Sequence, residues 1–118
     1  EGMAMKITIC HNPRCSKSRQ TLALLQERGL EITERRYLED APSAAEIRAA
    51  LDLLKIPAIE LVRHKEAEFR AQGLSKTMDD DRLNAAMAAT PKLIERPVAI
   101  TQSAARIGRP PEAVLEIV

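Results

Sequence analysis

The beginning of the chain alternates between the hydrophobic pattern of strands and that of a helix. Residues 6–10, KITIC, alternate β-branched and polar positions and predict a first strand. From residue 16 or 18 to about residue 28, leucines recur at helical spacing, and Gly29 is a natural C-cap. Residues 32–38, ITERRYL, return to a strand pattern. We expect this second strand to be parallel to the first, because a helix connects them, so the region predicts a β-α-β unit.

The middle of the chain, residues 43–91, is predicted to be a helical block. Ser43 followed three residues later by Glu46 forms a capping box before an amphipathic helix. The segments 58–72, AIELVRHKEAEFRAQ, and 81–91, DRLNAAMAATP, are also helical by period. Because no strand pattern interrupts the block, we expect helices throughout it.

The end of the chain returns to strands. Residues 95–101, ERPVAIT, predict a strand, and residues 102–108, QSAARIG, predict a turn and a short strand that pairs with it as a hairpin. Residues 109–118, RPPEAVLEIV, predict a final helix that opens on prolines. The order β-α-β, helical block, β-β-α indicates an α/β protein with a small mixed sheet and helices on both faces. This order is typical of a thioredoxin-like core, with the helical block at about 43–91 as an insertion.

Composition and charge narrow the classes of partner. The chain has 118 residues, and we expect residues 6–118 to form a single domain. Tyr37 and Phe69 are its only aromatic residues, too few for a surface that stacks single-stranded nucleic acid. A net charge of +1 gives no electrostatic case for binding DNA or an anionic membrane. No apolar run approaches the ~20 residues of a membrane helix. We therefore expect neither nucleic acid nor a membrane as a partner.

The cysteine count and the first residues indicate a compartment. Residues 1–5, EGMAM, have no apolar core of a signal peptide, and we expect them to be an expression remnant ending in a start methionine. Two cysteines do not make a disulfide framework, so we expect a cytoplasmic protein with reduced thiols. The two cysteines and two histidines lack the paired spacings of zinc sites, so we expect no metal.

Cys15 lies among polar and basic residues, where a buried structural cysteine is unusual. The Asn-Pro turn at 12–13 delivers it to the start of the first helix, where unpaired backbone N–H groups stabilise a thiolate. A thiol with a pKa near 8.5 is roughly 3% ionised at pH 7, and a predominant thiolate needs nearly 3 kcal/mol. A helix end typically supplies only about 0.3–1 kcal/mol, so cations must supply the rest. The local candidates are His11, Arg14, Lys17 and Arg19.

We expect no second reactive thiol in this motif. Ser18 stands at the partner position of a C-x-x-C pair, which excludes a dithiol mechanism there. Cys10 ends an alternating strand and is expected to pack rather than to resolve an intermediate. The order CSKSR is C-x₃-R and differs from the C-x₅-R loop of cysteine phosphatases, which disfavours hydrolysis of phosphate esters.

The stretch ITICHNPRCSKSRQTL resembles the active-site segment of the glutaredoxin-linked arsenate reductase (ArsC) family. The similarity continues in family order through RYLEDAPSAAEI, ELVRHKE, DDRL, LIERPVAI and ARIGRPPEAVLEIV, and it is strongest to the short branch that ends soon after VLEIV. The resemblance implies a thioredoxin-like core with an inserted helical block. It also implies the reduction of arsenate to arsenite with no bound cofactor. In this family the essential cysteine forms a thiol–arsenate adduct, glutathione acts as co-substrate, and glutaredoxin resolves the product.

The same resemblance implies the roles of individual residues. Cys15 matches the essential cysteine, and His11 matches the histidine that assists thiolate formation. Three arginines match those that bind the oxyanion and stabilise the intermediate, namely Arg63, Arg96 and Arg109. Guanidinium suits this task because it offers several fixed donors to an oxyanion. The pair Arg96-Pro97 matches the cis-proline position of thioredoxin-like proteins, and we expect that bond to be cis.

Two other functions remain open at this stage. A monothiol oxidoreductase that acts on protein or glutathione mixed disulfides would use the same fold and the same Cys15. The three arginines discriminate against it, because disulfide exchange needs no oxyanion pocket. A regulator of the Spx type shares the fold and binds RNA polymerase, but such regulators carry a C-x-x-C switch that Ser18 breaks here.

Overall fold

The computed structural model describes residues 5–118, which form two compact units. The first unit contains residues 5–37 and Arg96–Val118, and the second contains Leu38–Glu95. The expected expression remnant at 1–5 lies outside the described residues except for Met5, which is exposed. The expectation of a single domain over 6–118 stays a prediction. Among the described residues, no helix is long and apolar enough to cross a lipid bilayer.

The first unit is a four-stranded mixed sheet in the order β2-β1-β3-β4. The elements of this unit are β1 (Lys6–His11), α1 (Ser16–Glu27), β2 (Glu31–Arg36), β3 (Val98–Ile100), β4 (Ala105–Ile107) and a C-terminal 3₁₀ helix (Pro111–Ile117). β1 pairs with β2 in parallel and with β3 antiparallel, and β3 and β4 form a hairpin. This topology confirms the predicted β-α-β unit, the predicted hairpin and the α/β class.

β2 covers Glu31–Arg36 rather than residues 32–38, and two further elements differ from the sequence prediction in extent or type. β3 begins at Val98 rather than at residue 95, because Pro97 has no N–H to donate to the ladder. The segment after Pro110 is helical as predicted, but its hydrogen bonding is that of a 3₁₀ helix. None of these differences changes the topology.

The apolar core of the first unit lies on one face of the sheet. Alternation along β1 points Ile7, Ile9 and His11 to this face and leaves Lys6, Thr8 and Cys10 on the opposite face. α1 and the C-terminal 3₁₀ helix therefore cover the same side. The expectation that helices cover the other side as well stays a prediction. The buried members of this core are Ile7, Ile9, Leu25, Ala99 and Val114.

Helix α1 begins and ends where the sequence indicates. Cys15 is its N-cap, with extended backbone angles of φ −91° and ψ 126°. At the other end Gly29 adopts φ +68°, a left-handed conformation that glycine tolerates best. The thiol of Cys15 therefore lies at the end of α1 where the backbone N–H groups have no helical partner.

The second unit contains α2 (Ala44–Leu54), α3 (Ala67–Ala71) and α4 (Asp80–Ala89), with 3₁₀ turns at Ala58–Glu60 and Pro91–Leu93. The predicted capping box is confirmed: Glu46 N–H donates to Ser43 Oγ at 3.1 Å, and Ser43 N–H donates to Glu46 Oε1 at 2.9 Å. The helix predicted over 81–91 is also confirmed, as α4.

The continuous helix predicted over 58–72 is wrong. Val62 forms an antiparallel bridge with Ile94, and α3 begins only at Ala67. The main chain of Arg63 donates to Leu93 O at 2.6 Å, beside that bridge. A short apolar stretch such as Leu61-Val62 fits both the strand period and the helix period. Here the pairing of Val62 with the distant Ile94 decides between them. The helical block at 43–91 is therefore interrupted by a short extended pair.

Candidate active site

Asn12 shapes the loop that carries the thiol from β1 to α1. Its backbone oxygen accepts from Cys15 N–H at 2.9 Å, and its side-chain Oδ1 accepts from Arg14 N–H at 3.0 Å. An asparagine side chain that bonds its own backbone two residues ahead is a common turn device. The turn places Cys15 directly at the N-terminus of α1.

Ser18 holds the same loop from the helix side. Its side chain is fully buried, and its Oγ accepts from Asn12 N–H at 3.2 Å. The residue at the C-x-x-C partner position thus tethers the loop through a hydroxyl. Sequence analysis identified Ser18 only as the absence of a second thiol, and it missed this structural role.

The environment of the Cys15 sulfur favours the thiolate. Burial has the largest influence and raises the pKa of the thiol. Hydrogen bonds from Ser18 N–H, the Arg96 side chain and Lys17 N–H, together with the charge of Arg96, outweigh burial and hold the pKa of Cys15 below its usual value. The first turn of α1 carries no acidic residue that would oppose them.

Arg109 is a second arginine near the Cys15 sulfur, and it also contacts Arg96. Its Nε donates to Arg96 O at 2.8 Å, and its Nη2 lies 3.8 Å from Cys15 Sγ. The structure therefore brings two of the three predicted arginines to Cys15. The Arg96-Pro97 bond is cis, as predicted, and Arg109-Pro110 is also cis, which the sequence did not indicate.

Arg19 and Lys17, two of the local candidates, contact the Cys15 loop in different ways. Arg19 Nη1 donates to Pro13 O at 3.0 Å and so braces the loop. Lys17 acts through its backbone N–H and not through its ammonium group. The cation whose charge lowers the pKa of Cys15 is Arg96, and a contribution from the local candidates stays a prediction.

His11 is buried on the core face at the end of β1. Its Nε2 lies 3.1 Å from Glu34 Oε1 on β2, and its Nδ1 is buried without a hydrogen-bond partner among residues 5–118. The pKa of Cys15 is lowered by Ser18, Arg96 and Lys17 rather than by His11. The predicted role of His11 in thiolate formation stays a prediction. Glu34 is a neighbour that no sequence pattern singled out.

Arg63 belongs to the second unit, where two carboxylates hold its side chain. Its Nη1 lies 2.9 Å from Glu66 Oε2, and its Nε lies 3.7 Å from Glu95 Oε1. Lys92 adds a second cation, 3.7 Å from Glu66. The predicted contact of Arg63 with an oxyanion stays a prediction.

Neither Cys10 nor Cys15 forms a disulfide among the described residues. Cys10 is half-buried in β1, where it is in register with Arg35 of β2 and Val98 of β3. Among the described residues, no group of three or more His, Cys, Asp or Glu side chains could hold a metal ion. The described site brings one thiol, that of Cys15, together with two guanidinium groups.

A mixed sheet with a cysteine at the N-cap of its first helix, and a cis-proline directly before β3, defines a thioredoxin-like protein. The sequence model of the ArsC family matches residues 10–117, and the chain belongs to this family. It is 48% identical to the uncharacterized protein YfgD of Escherichia coli K12 over 98% of this chain and 99% of that protein. It is 38% identical to an arsenate reductase of Haemophilus influenzae, over 96% of this chain and 99% of that protein.

The solved structures give the same result. The arsenate reductase from Vibrio cholerae matches with a TM-score of 0.94 and 45% identity, over 98% of this chain and 100% of that one. The predicted thioredoxin-like fold and the resemblance to ArsC proteins are thus confirmed.

Replacing Arg96 by glutamine should slow the reaction of Cys15 with iodoacetamide at pH 7 roughly tenfold or more. The reason is that a hydrogen bond to a charged group typically contributes about 1.5–3 kcal/mol, here to the thiolate. Arg106→Gln is the matched control, because Arg106 pairs with Glu116 at 3.0 Å on the same unit. The alkylation rate is measured in a Cys10→Ser background. Equal rates in the two variants would contradict the assigned source of charge.

The lowered pKa of Cys15 also predicts how stability depends on pH. A thiol ionises near pH 8.5 in the unfolded chain and at lower pH in the folded one. The thiolate therefore stabilises the fold fully above the unfolded pKa, and this contribution is lost as pH falls through the folded pKa. We expect the stability of the reduced protein relative to Cys15→Ser to rise from pH 5 to pH 9 in urea unfolding. A difference that is constant or falls over this range would contradict the assignment.

Proposed function

We propose that this protein is an arsenate reductase in which the Cys15 thiolate forms a covalent adduct with arsenate, and that glutathione and glutaredoxin complete the reduction. The observation that carries the proposal is the pair of guanidinium groups, from Arg96 and Arg109, at the Cys15 sulfur. Relatives that carry the name arsenate reductase, at 38% identity over most of the chain, support the same substrate.

The two arginines have a specific task in this reaction. Thiolate and arsenate are both anions, so their approach is opposed until positive charge offsets the repulsion. Arg96 lies against the sulfur, and Arg109 is exposed at the mouth of the site, with its Nη2 near the sulfur. Guanidinium presents donors in a planar fork that matches two oxygens of a tetrahedral oxyanion. The same groups that stabilise the thiolate then stabilise the charge that builds up as the S–As bond forms.

In the proposed reaction, two external thiols supply the two electrons that reduce arsenic. The Cys15 sulfur forms a bond to arsenic, and one arsenate oxygen leaves as water after protonation. The thiol of glutathione then displaces a second oxygen, which also leaves as water. The thiol of glutaredoxin attacks the sulfur of the bound glutathione, and that bond change passes two electrons to arsenic. As(V) becomes As(III), the two external thiols end as a mixed disulfide, and hydrolysis of the remaining S–As bond releases arsenite and Cys15.

The surroundings of Cys15 support the use of external thiols. Ser18 has a hydroxyl where dithiol proteins have their second cysteine, and that hydroxyl is occupied by Asn12 N–H. The motif therefore supplies one thiol, while the reduction of arsenate needs two electrons from a thiol pair. Glutathione and glutaredoxin are thiols of the reducing cytoplasm, where we place the reaction.

A second candidate is a monothiol oxidoreductase that acts on mixed disulfides. A thiolate at the N-terminus of α1 suits that reaction equally well. The guanidinium group of Arg109 favours an oxyanion such as arsenate as the substrate, because a disulfide has no charged oxygens to bind. The two reactions are distinguished by substrate.

We expect the purified protein to oxidise NADPH in an arsenate-dependent manner when glutathione, glutaredoxin and glutathione reductase are supplied. Cys15→Ser should reduce the rate to background, because the nucleophile is lost. Cys10→Ser should keep most of the rate, because Cys10 lies on β1 with its side chain on the face away from the α1 core.

The matched pair of cysteine variants controls for the general effect of removing a thiol. Absence of arsenate-dependent turnover, together with reduction of a glutathione mixed disulfide, would replace the proposal with the second candidate. Equal loss of activity in both variants would contradict the role given to Cys15 alone.

A further inference from the structure

Gly108 lies immediately before Arg109, at a point where the chain passes very close to two other segments. A Cβ atom added to Gly108 would lie 2.6 Å from Thr21 Oγ1 and 2.8 Å from Pro97 Cγ. Side-chain carbons do not approach other atoms so closely, so any residue with a Cβ would force a displacement. The constraint is one of space, and it differs from the constraint at Gly29, which is a left-handed φ of +68°.

Neither neighbour of Gly108 is able to move aside easily. Thr21 is fully buried in α1, and its Oγ1 donates to Lys17 O at 2.8 Å. Pro97 is fully buried too, and its carbonyl oxygen accepts from Gly108 N–H at 2.8 Å. A larger residue at 108 would therefore push its own strand end away from α1 and from Pro97.

Such a displacement would act on both arginines of the site. Arg109 follows directly in the chain, and its Nη2 lies 3.8 Å from Cys15 Sγ. Arg96 directly precedes Pro97, and its carbonyl oxygen accepts from Arg109 Nε at 2.8 Å. Gly108 thus contacts Pro97, which follows Arg96 in the chain, and Gly108 itself precedes Arg109.

We propose that Gly108 is a positioning residue whose missing side chain lets the end of β4 close against Thr21 and Pro97 and thereby directs Arg109 and Arg96 onto the Cys15 sulfur. The consequence for substrate rests on the proposed arsenate reductase function. The consequence for the thiol does not, because the two guanidinium groups act on the sulfur before any substrate binds.

The test is Gly108→Ala in a Cys10→Ser background, with the rate of Cys15 alkylation by iodoacetamide measured from pH 5 to pH 9. We expect the rate at pH 6.5 to fall about threefold or more and the pH profile to move to higher pH. Gly29→Ala is the matched control, since nothing lies within 4 Å of the Cβ that it adds in the same unit. It should lower the melting temperature through its strained φ and leave the alkylation profile unchanged.

A second substitution tests the contact itself. Thr21→Ala removes Oγ1 and also Cγ2, the two atoms of Thr21 that a Cβ at residue 108 would meet, at 2.6 Å and 3.2 Å. Thr21→Ala/Gly108→Ala should therefore recover part of the rate that Gly108→Ala loses. The remaining contact with Pro97 Cγ at 2.8 Å should keep it below the rate of Thr21→Ala alone.

The outcomes separate positioning from a merely structural role. A folded Gly108→Ala protein whose alkylation profile matches that of the parent overturns the proposal, whatever its melting temperature. A loss of rate that Thr21→Ala does not reduce also overturns it. Where Gly108→Ala fails to fold, the double variant is compared with Thr21→Ala, and equal profiles overturn the proposal. Since no arsenate is used, these results are independent of whether the protein reduces arsenate.

Discussion

The site depends on the contact of the Cys15 sulfur with two positively polarised groups. One is the N-terminus of α1, and the other is the guanidinium of Arg96. Burial works against the thiolate, so neither a buried cysteine nor a helix end alone gives this chemistry. The loop held by Asn12 and Ser18 sets the first contact. The close packing of the strand end at Gly108 against Pro97 sets the second.

The loop at Cys15 and the start of α1 could be predicted from the sequence, because turns and helix ends depend on neighbouring residues. The Asn-Pro turn, a helix that starts at residue 16 or 18 and the C-cap glycine at residue 29 were all predicted from neighbouring residues. Short-range rules offered only nearby cations as candidates for the charge at the sulfur, whereas Arg96, whose charge lowers the pKa of Cys15, lies far along the chain. Periodicity carries no information about such a contact, and only the family resemblance selected Arg96 and Arg109.

The same difference between local and long-range information explains why the continuous helix predicted over 58–72 is wrong. The segment 58–72 fits a helix by period, but Ala58–Glu60 forms only a 3₁₀ turn, and Val62 pairs with Ile94 before α3 begins at Ala67. That pairing brings Arg63 and Glu95 together, and Glu66 follows in the next turn. Carboxylates on both edges of the Arg63 guanidinium mean that an oxyanion bound there would replace at least one ion pair. No pattern along the chain indicated this competition.

The most direct test of the account is the titration of the Cys15 thiol in the wild-type protein, followed by the ultraviolet absorbance of the thiolate, with Cys10→Ser as the reference for a single thiol. We predict that Cys15 ionises below the pKa that a free cysteine thiol ordinarily has. Ionisation at or above that value would mean that Arg96 and the helix end do not overcome burial, and it would contradict the account.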